Sequence, residues 1–412
     1  MADGVVIIGG GHGGSQVAAS LRADGYDGPV TLISAEIDLP YQRPPLSKTY
    51  LKEPERGLQE LRPAAFYESH AVDLRLGTTV EAIDRAGGRV TLAGGGSVPY
   101  AKLVIATGAR PRVPPIPSVE LDGVFYLRDA ADARRLHDRF VTAESVVVIG
   151  GGFIGLELAA TARMLGRTVT IIEATDRLMG RSVATEVSQH FLDLHRGWGA
   201  TVLLQHPARA ILGEGGRVVA VEAGDTLVPA DIVVIGIGVV PNVELATAIG
   251  LAADNGIVVD DHLLTSAPEI FAIGDCASFP EPFVGRRLRL ESVQTAVDQA
   301  KTVAKAIVGK PEPYRSVPWF WSDQADVKLQ MVGLSLLADR SVVRGAIEEG
   351  SFSVFQFAGD RLVAIDSVNR AADHMLGRRI LDTPDLPTPE QAADLSFDLK
   401  SLMKRPAMAA RA

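Results

Sequence analysis

Val5-Val-Ile-Ile-Gly9-Gly-Gly11-His-Gly-Gly14 recurs later in the chain as Val146-Val-Val-Ile149-Gly150-Gly-Gly152-Phe-Ile-Gly155. In each copy a short apolar run, as expected of a buried strand, meets a cluster of glycines. A segment of helical character comes next (15–24 and 156–165), then a second β-branched run, Val30-Thr-Leu-Ile33 or Val169-Thr-Ile-Ile172. Strand, helix and strand within about 30 residues form a βαβ unit, whose strands run parallel. The spacings Gly9-x-Gly11-x-x-Gly14 and Gly150-x-Gly152-x-x-Gly155 add chemistry to that geometry. The first glycine makes the turn, the second lets the backbone approach a diphosphate, and the third packs helix on strand. The helix N-terminus then offers the anion amides that have no partner inside the helix. One such spacing is also compatible with an ordinary tight turn. Two, each between a strand and a helix, indicate two nucleotide sites in one α/β chain.

The residue at the end of each second strand separates the two sites. In the later copy the strand ends in Glu173, roughly 20 residues beyond the first glycine, where a carboxylate accepts from adenosine ribose hydroxyls and repels a 2′-phosphate. That favours NADH over NADPH. In the earlier copy the aligned position is Ser34, with Ala35 and Glu36 after it, so either Glu36 or the backbone alone meets the ribose. Two more apolar strands end in glycine, Leu103-Val-Ile-Ala106-Thr-Gly108 and Asp231-Ile-Val-Val-Ile-Gly-Ile-Gly238, as strands do where a loop passes close to a ligand. Thr265-Ser-Ala-Pro-Glu-Ile-Phe-Ala-Ile-Gly-Asp275 is another. Toward the C-terminus, 351–357 and 361–366 alternate in polarity around Gly359-Asp360, which predicts an antiparallel hairpin.

The chain has 412 residues, 47% hydrophobic and 22% charged, which is the profile of a folded globule of two or three domains. A formal net charge of −9 gives no overall attraction for nucleic acid or anionic lipid. The single cysteine, Cys276, excludes an internal disulfide, a CxxC redox pair and a multi-thiolate zinc site; its expected role is a buried packing thiol. The histidines are scattered, no pair has metal-ligand spacing on a helix face, and no metal is expected. No basic region precedes Val5 and no apolar run reaches the roughly 18 residues of a membrane span, so the expected compartment is the cytoplasm and no membrane partner is expected.

With the Gly-Asp275 strand and Ala106-Thr-Gly108, the chain resembles the flavoprotein pyridine-nucleotide reductases of the glutathione reductase fold. Within them, Tyr41-Gln-Arg-Pro-Pro-Leu-Ser-Lys48, Gly150-Gly-Gly-Phe-Ile-Gly-Leu-Glu157 and Pro318-Trp-Phe-Trp-Ser-Asp-Gln324 look like the ferredoxin reductases of bacterial cytochrome P450 and aromatic dioxygenase systems. One departure is Ala35, where that family usually carries an acid. The resemblance implies non-covalent FAD on Gly9, Gly11, Gly13, Gly14, Ala35, Glu36, Arg43, Lys48, Val80, Ala106, Gly108, Arg128, Asp275 and Val293. It implies NADH on Gly150, Gly152, Ile154, Gly155, Glu173 and Gly238. Asp275 matches the residue that binds the FAD ribityl chain. Lys48 matches a residue near the flavin N5 edge, paired with Glu157, although a carboxylate in a first helical turn is also favoured by the macrodipole alone. Trp321 either covers the flavin face or packs in an interface.

The expected architecture is two Rossmann-like nucleotide-binding domains plus a C-terminal α+β domain. FAD would occupy 1–109 and 233–308, NADH 110–232, and residues 309–412 would close the flavin side. Lacking the cysteine pair of disulfide reductases, the flavin is expected to pass electrons directly to a [2Fe-2S] ferredoxin, with Lys48, Glu157 and Trp321 as catalytic residues. Rubredoxin or another small acceptor stays open, as does a redox-sensing flavoprotein resembling apoptosis-inducing factor. Acidic ferredoxins need a locally basic surface on an acidic chain, and Arg286, Arg287 and Arg289 are its expected centre.

Overall fold

The computed structural model describes residues 4–404, and these divide into two compact units. The first comprises 4–45, 57–110 and 239–316; the second comprises 46–56, 111–238 and 317–404.

The first unit is built on the earlier glycine motif. Val5–Ile8 is buried at every position and lies at the centre of a five-stranded parallel sheet. Lys102–Ile105 and Ile270–Ala272 lie to one side of it, and Val30–Ile33 and Val72–Arg75 to the other. A strand apolar on both faces needs cover on both. One helix from the glycine turn, His12–Ala23, packs with another, Val293–Ile307. Gly13 belongs to that contact, because a Cβ there would meet Ile273 and the Ala296 carbonyl. A small antiparallel sheet, Val80–Asp84, Arg89–Leu92 and Ser97–Pro99, adds Val80, Val90 and Val98 to the same core.

The second unit repeats the plan. Ser145–Ile149 sits between Thr168–Ile172 and Ile232–Ile235 in a parallel sheet completed by Thr201–Leu203 and Val124–Phe125. Because Ile232–Ile235 completes this sheet, the chain returns to the first unit at Val239 and not at 233 as the sequence suggested. The C-terminal part is a five-stranded antiparallel sheet ordered Trp319–Gln324, Val327–Gly333, Arg361–Val368, Ser351–Ala358, Arg340–Ala346. The expected hairpin is there, turning at Gly359 with φ +58°. Its strands are buried on both faces, not on alternating residues. Phe355, Phe357 and Ile365 pack with Ile380 of the helix Ala371–Ile380, while Phe352, Val354 and Val368 join one continuous core with Phe191, Leu156 and Val146. That shared core is why the C-terminal sheet and the second parallel sheet form one unit. No helix among the described residues is long and apolar enough to cross a membrane.

Candidate functional site

The two glycine turns are built alike. Gly9 (φ +117°) and Gly150 (φ +108°) adopt a backbone that L-residues resist, and a Cβ on either would collide with a neighbouring carbonyl, Ala106 O or Gly236 O. A Cβ on Gly14 or Gly155 would strike the carbonyl of Gly9 or Gly150, so these third glycines bring helix against strand. The second glycines differ. Nothing lies within 4 Å of a Cβ built on Gly11, and only Gly236 O, at 3.9 Å, approaches one on Gly152. The protein packing therefore does not account for glycine at these two positions, and the space they leave is where a diphosphate fits. No side chain caps His12–Ala23 or Phe153–Met164, whose N-caps are Gly11 and Gly152. Uncapped amides beside an open backbone make an anion cradle. Both cradles fit a dinucleotide.

In the second unit Glu173 reaches back to its turn. Gly151 N donates to Oε2 at 2.7 Å, and Thr175 N and Oγ1 donate to Oε1 at 2.8 Å each. A carboxylate offers about four lone-pair sites, so Oε2 keeps capacity for a sugar hydroxyl. Ile154 is 45% exposed on the first turn of the helix, and Gly238 (φ +98°) accepts from Arg112 N at 2.9 Å. Arg128 is half-buried, its backbone N–H donating to Asp132.

In the first unit Glu36 is engaged by Arg43, at 2.5 Å, and by the Tyr41 hydroxyl. Ala35 is exposed beside it. Gly108 (φ +65°) lies in the short connection between the strands Lys102–Ile105 and Ala109–Pro111, and Thr107 next to it exchanges bonds with Asn242. Asp275 lies in the turn Gly274–Cys276, which is tied by Gly274 N to Gln299 Oε1 at 2.7 Å. Val293 opens the helix capped by Ser292. Cys276 is fully buried, its thiol 3.2 Å from Ile273 O, and burial pushes its pKa up.

Lys48 and Glu157, distant in sequence, meet inside the second unit. Glu157 stands on the first turns of Phe153–Met164, only 6% exposed. Its Oε2 accepts from Lys48 Nζ and Ser47 Oγ, each at 2.5 Å, and its Oε1 from Ser322 Oγ at 2.7 Å. Thr161 Oγ1 on the same helix donates to Ser47 O at 2.9 Å, anchoring the segment that carries Lys48. A buried carboxylate with three donors has its desolvation offset by charge-assisted bonds. The strand Trp319–Gln324 supplies Ser322 on its inner face, and alternation leaves Trp321 on the other, near Trp319 with ring centroids 5.6 Å apart. Sequence reasoning named Lys48, Glu157 and Trp321 but not Ser47 or Ser322, although both stand inside its motifs.

The arginine surface needs correction. Arg287 donates to the Val259 and Ser278 carbonyls, at 2.7 and 2.5 Å. The Arg289 side chain is 7% exposed, ion-paired with Glu291 and bonded to Asp275 O. Only Arg286 of the three is exposed. Inward carbonyls compete for the guanidinium groups, and counting charge along a segment cannot see them. Among the described residues one group, Asp260, Asp261 and His262, brings possible metal ligands within 4.8 Å of one another. It is a surface turn in which Asp260 Oδ1 accepts from His262 N and Leu264 N, and His262 Nδ1 lies 2.7 Å from Asp261 Oδ1.

Residues 3–300 match the family described as pyridine nucleotide-disulphide oxidoreductase, and residues 319–403 match its reductase C-terminal domain. The chain belongs to the pyridine nucleotide-disulphide oxidoreductases. Rhodocoxin reductase of Rhodococcus erythropolis is 48% identical over 404 residues, 97% of this chain and 94% of that one. The crystal structure of the ferredoxin reductase of the CYP199A2 system from Rhodopseudomonas palustris superposes with a TM-score of 0.95 at 49% identity, covering 97% of this chain and 99% of that one. Putidaredoxin reductase, solved in covalent complex with putidaredoxin, gives 0.94 at 39% identity, with coverage of 98% and 99%. The disulphide in the family's description has no counterpart here, since Cys276 is the chain's one cysteine.

Proposed function

We propose that this oxidoreductase carries electrons from NADH through FAD to a [2Fe-2S] ferredoxin that serves a cytochrome P450 or related oxygenase. The observation that carries the reading is two open glycine cradles in a chain with one buried cysteine. Two dinucleotides can be held, and no thiol pair can receive the electrons, so the acceptor is external. Likeness to rhodocoxin reductase and to a reductase captured on putidaredoxin supports an iron–sulfur protein in that role. When bound, FAD would supply the chemistry that links a two-electron donor such as NADH to a one-electron acceptor.

The chain's own residues bind and bias. Gly9, Gly11, Gly13 and Gly14 hold the FAD diphosphate, with Ala35, Glu36, Arg43, Val80, Ala106, Gly108, Arg128, Asp275 and Val293 assigned to the rest of that cofactor. Gly150, Gly152, Ile154, Gly155 and Gly238 hold NADH, and Glu173 selects it by its charge. Lys48, held in place by Glu157, balances negative charge on the reduced cofactor, and Trp321 is assigned to the same reacting end. In this reading the first unit is the FAD domain, the second parallel sheet the NADH domain, and the C-terminal sheet a third. An NADH-linked electron carrier belongs in the cytoplasm.

The test is turnover of the FAD-loaded protein with NADH and, separately, a [2Fe-2S] ferredoxin, a rubredoxin and ferricyanide. A kcat/KM for ferredoxin well above that for rubredoxin is expected. Efficient turnover with rubredoxin alone overturns the acceptor. A protein that binds no FAD overturns the enzyme. Slow turnover with every protein acceptor, together with dimerisation on NADH addition, replaces it with a sensor.

A further inference from the structure

Behind Glu157 a line of buried side chains continues away from Lys48. Ser322 Oγ donates to Glu157 Oε1 at 2.7 Å, and Gln324 Nε2 lies 3.4 Å from Ser322 Oγ. Gln324 Oε1 is 2.8 Å from Nε2 of His195, on the helix Thr185–Gly197. Ser322, Gln324 and His195 are each fully buried. We propose that Ser322, Gln324 and His195 are positioning residues that orient the Glu157 carboxylate and, through it, the Lys48 ammonium group; the proposal rests on the reading that Lys48 acts on bound FAD.

Donor and acceptor chemistry gives the line a single direction. Glu157 takes donors on both oxygens, so Ser322 must direct its hydroxyl hydrogen at Oε1. The Ser322 oxygen is then free to accept from the Gln324 amide NH₂, which also faces Met179 Sδ at 3.9 Å, a weak acceptor. That fixes the Gln324 amide with its carbonyl toward His195, and a carbonyl can only accept. His195 must therefore carry its proton on Nε2. Its Nδ1 has no hydrogen-bond partner among the described residues, which suits a bare lone pair far better than an N–H. Burial lowers the pKa of His195, which favours the neutral ring. Every hydrogen in the line points toward Glu157. Reversing any one would place two donors or two acceptors face to face.

Such a line has one stable arrangement, which is what holding a carboxylate at a fixed angle requires. Ser47 and Lys48 donate to Oε2 and Ser322 donates to Oε1, so Ser322 helps to fix where Oε1 lies. The helix 185–197 and the strand 319–324 come from distant parts of the chain, and the line pins both to Glu157 without a charged residue beyond Lys48.

Three measurements test it. In the oxidised FAD-loaded protein, ¹H–¹⁵N NMR of the His195 ring should show the Nε2–H tautomer, and Gln324→Leu should abolish that preference. A wild-type Nδ1–H tautomer overturns the proposal without any variant. In the FAD-loaded protein, Ser322→Ala should slow flavin reduction by NADH roughly tenfold, about the loss of one bond to a charged group, while the Kd for NADH stays unchanged. The flavin midpoint potential should move in the same direction as in Lys48→Ala. His195→Phe, which keeps ring volume but has no donor, should reproduce the potential shift in smaller measure. His195→Gln, which places an amide N–H where Nε2 was, should restore it. If Lys48→Ala shifts the potential but Ser322→Ala and His195→Phe do not, the line is only structural glue and the proposal fails. If Lys48→Ala itself leaves the potential and rate unchanged, the reading of Lys48 fails instead.

Discussion

Glu173→Gln is the most direct test of nucleotide choice, and its size can be worked from the bonds around the carboxylate. Three donors fix Glu173: Gly151 N on Oε2, Thr175 N and Oγ1 on Oε1. A side chain so held cannot swing aside from an incoming 2′-phosphate. Two unit charges at 4 Å cost about 1 kcal/mol in water and about 4 kcal/mol at the effective dielectric of a protein surface site. Glu173 is half-buried, so each phosphate charge is disfavoured by an amount between those limits, or roughly 5- to 1,000-fold in kcat/KM. The amide of Gln removes the charge but also turns an NH₂ toward either Gly151 N–H or the Thr175 donors, a clash of about 1–3 kcal/mol for the unpaired group. The two losses act on different quantities. The clash lowers NADH efficiency roughly tenfold, whereas the lost charge raises NADPH relative to NADH, so the preference ratio should fall about 100-fold. Steady-state kcat/KM for each nucleotide, with ferricyanide as acceptor at fixed ionic strength, measures both. A wild type that uses the nucleotides equally, or a ratio unmoved by the substitution, would refute the placement of Glu173 at the ribose.

Asp275→Ala should weaken FAD retention by roughly 1–3 kcal/mol, read as the Kd for FAD from flavin fluorescence. Asp366 is fully buried, accepts from Ala184 N and Gln356 Nε2, and has its pKa pushed by burial from 3.8 to about 7. The folded state thus holds a proton that the unfolded state has released between about pH 4 and 7, so stability falls as pH rises through that window. Asp366→Asn removes the term, and its stability relative to wild type should rise by about 3 kcal/mol between pH 5 and pH 8 in urea titrations; a constant difference would show that Asp366 is not neutral at pH 5. Arg286→Glu should raise the ferredoxin KM and leave ferricyanide turnover intact. Arg289→Glu, by contrast, would face Glu291 and forfeit the Asp275 carbonyl, and should lower Tm and FAD retention; the reverse pattern would restore the arginine surface to docking.

The parts of this protein that were legible in its sequence are those where backbone geometry dictates residue type. At Gly9, Gly14, Gly150 and Gly155 the structure admits no side chain, so the identity of the residue and the path of the chain are the same fact. Glu173 was legible for a related reason, since a strand of set length after a motif of set length delivers the residue that follows it to the same turn. Lys48 and Glu157 could be paired only through family resemblance, because their contact crosses from the segment 46–52 to a helix far along the chain and leaves no periodic trace. The arginines failed for the opposite reason: their charge is visible in sequence, but Val259 O, Ser278 O and Asp275 O, which hold two of them inward, are backbone groups carried by every residue. His195 shows the limit most sharply. On its helix it reads as one apolar-face residue among Val187, Phe191 and Leu192, and only the fold places Gln324 2.8 Å from its ring. A polar residue on a buried face therefore cannot be interpreted from its own segment, because its meaning lies in the partner that a different part of the chain brings to it.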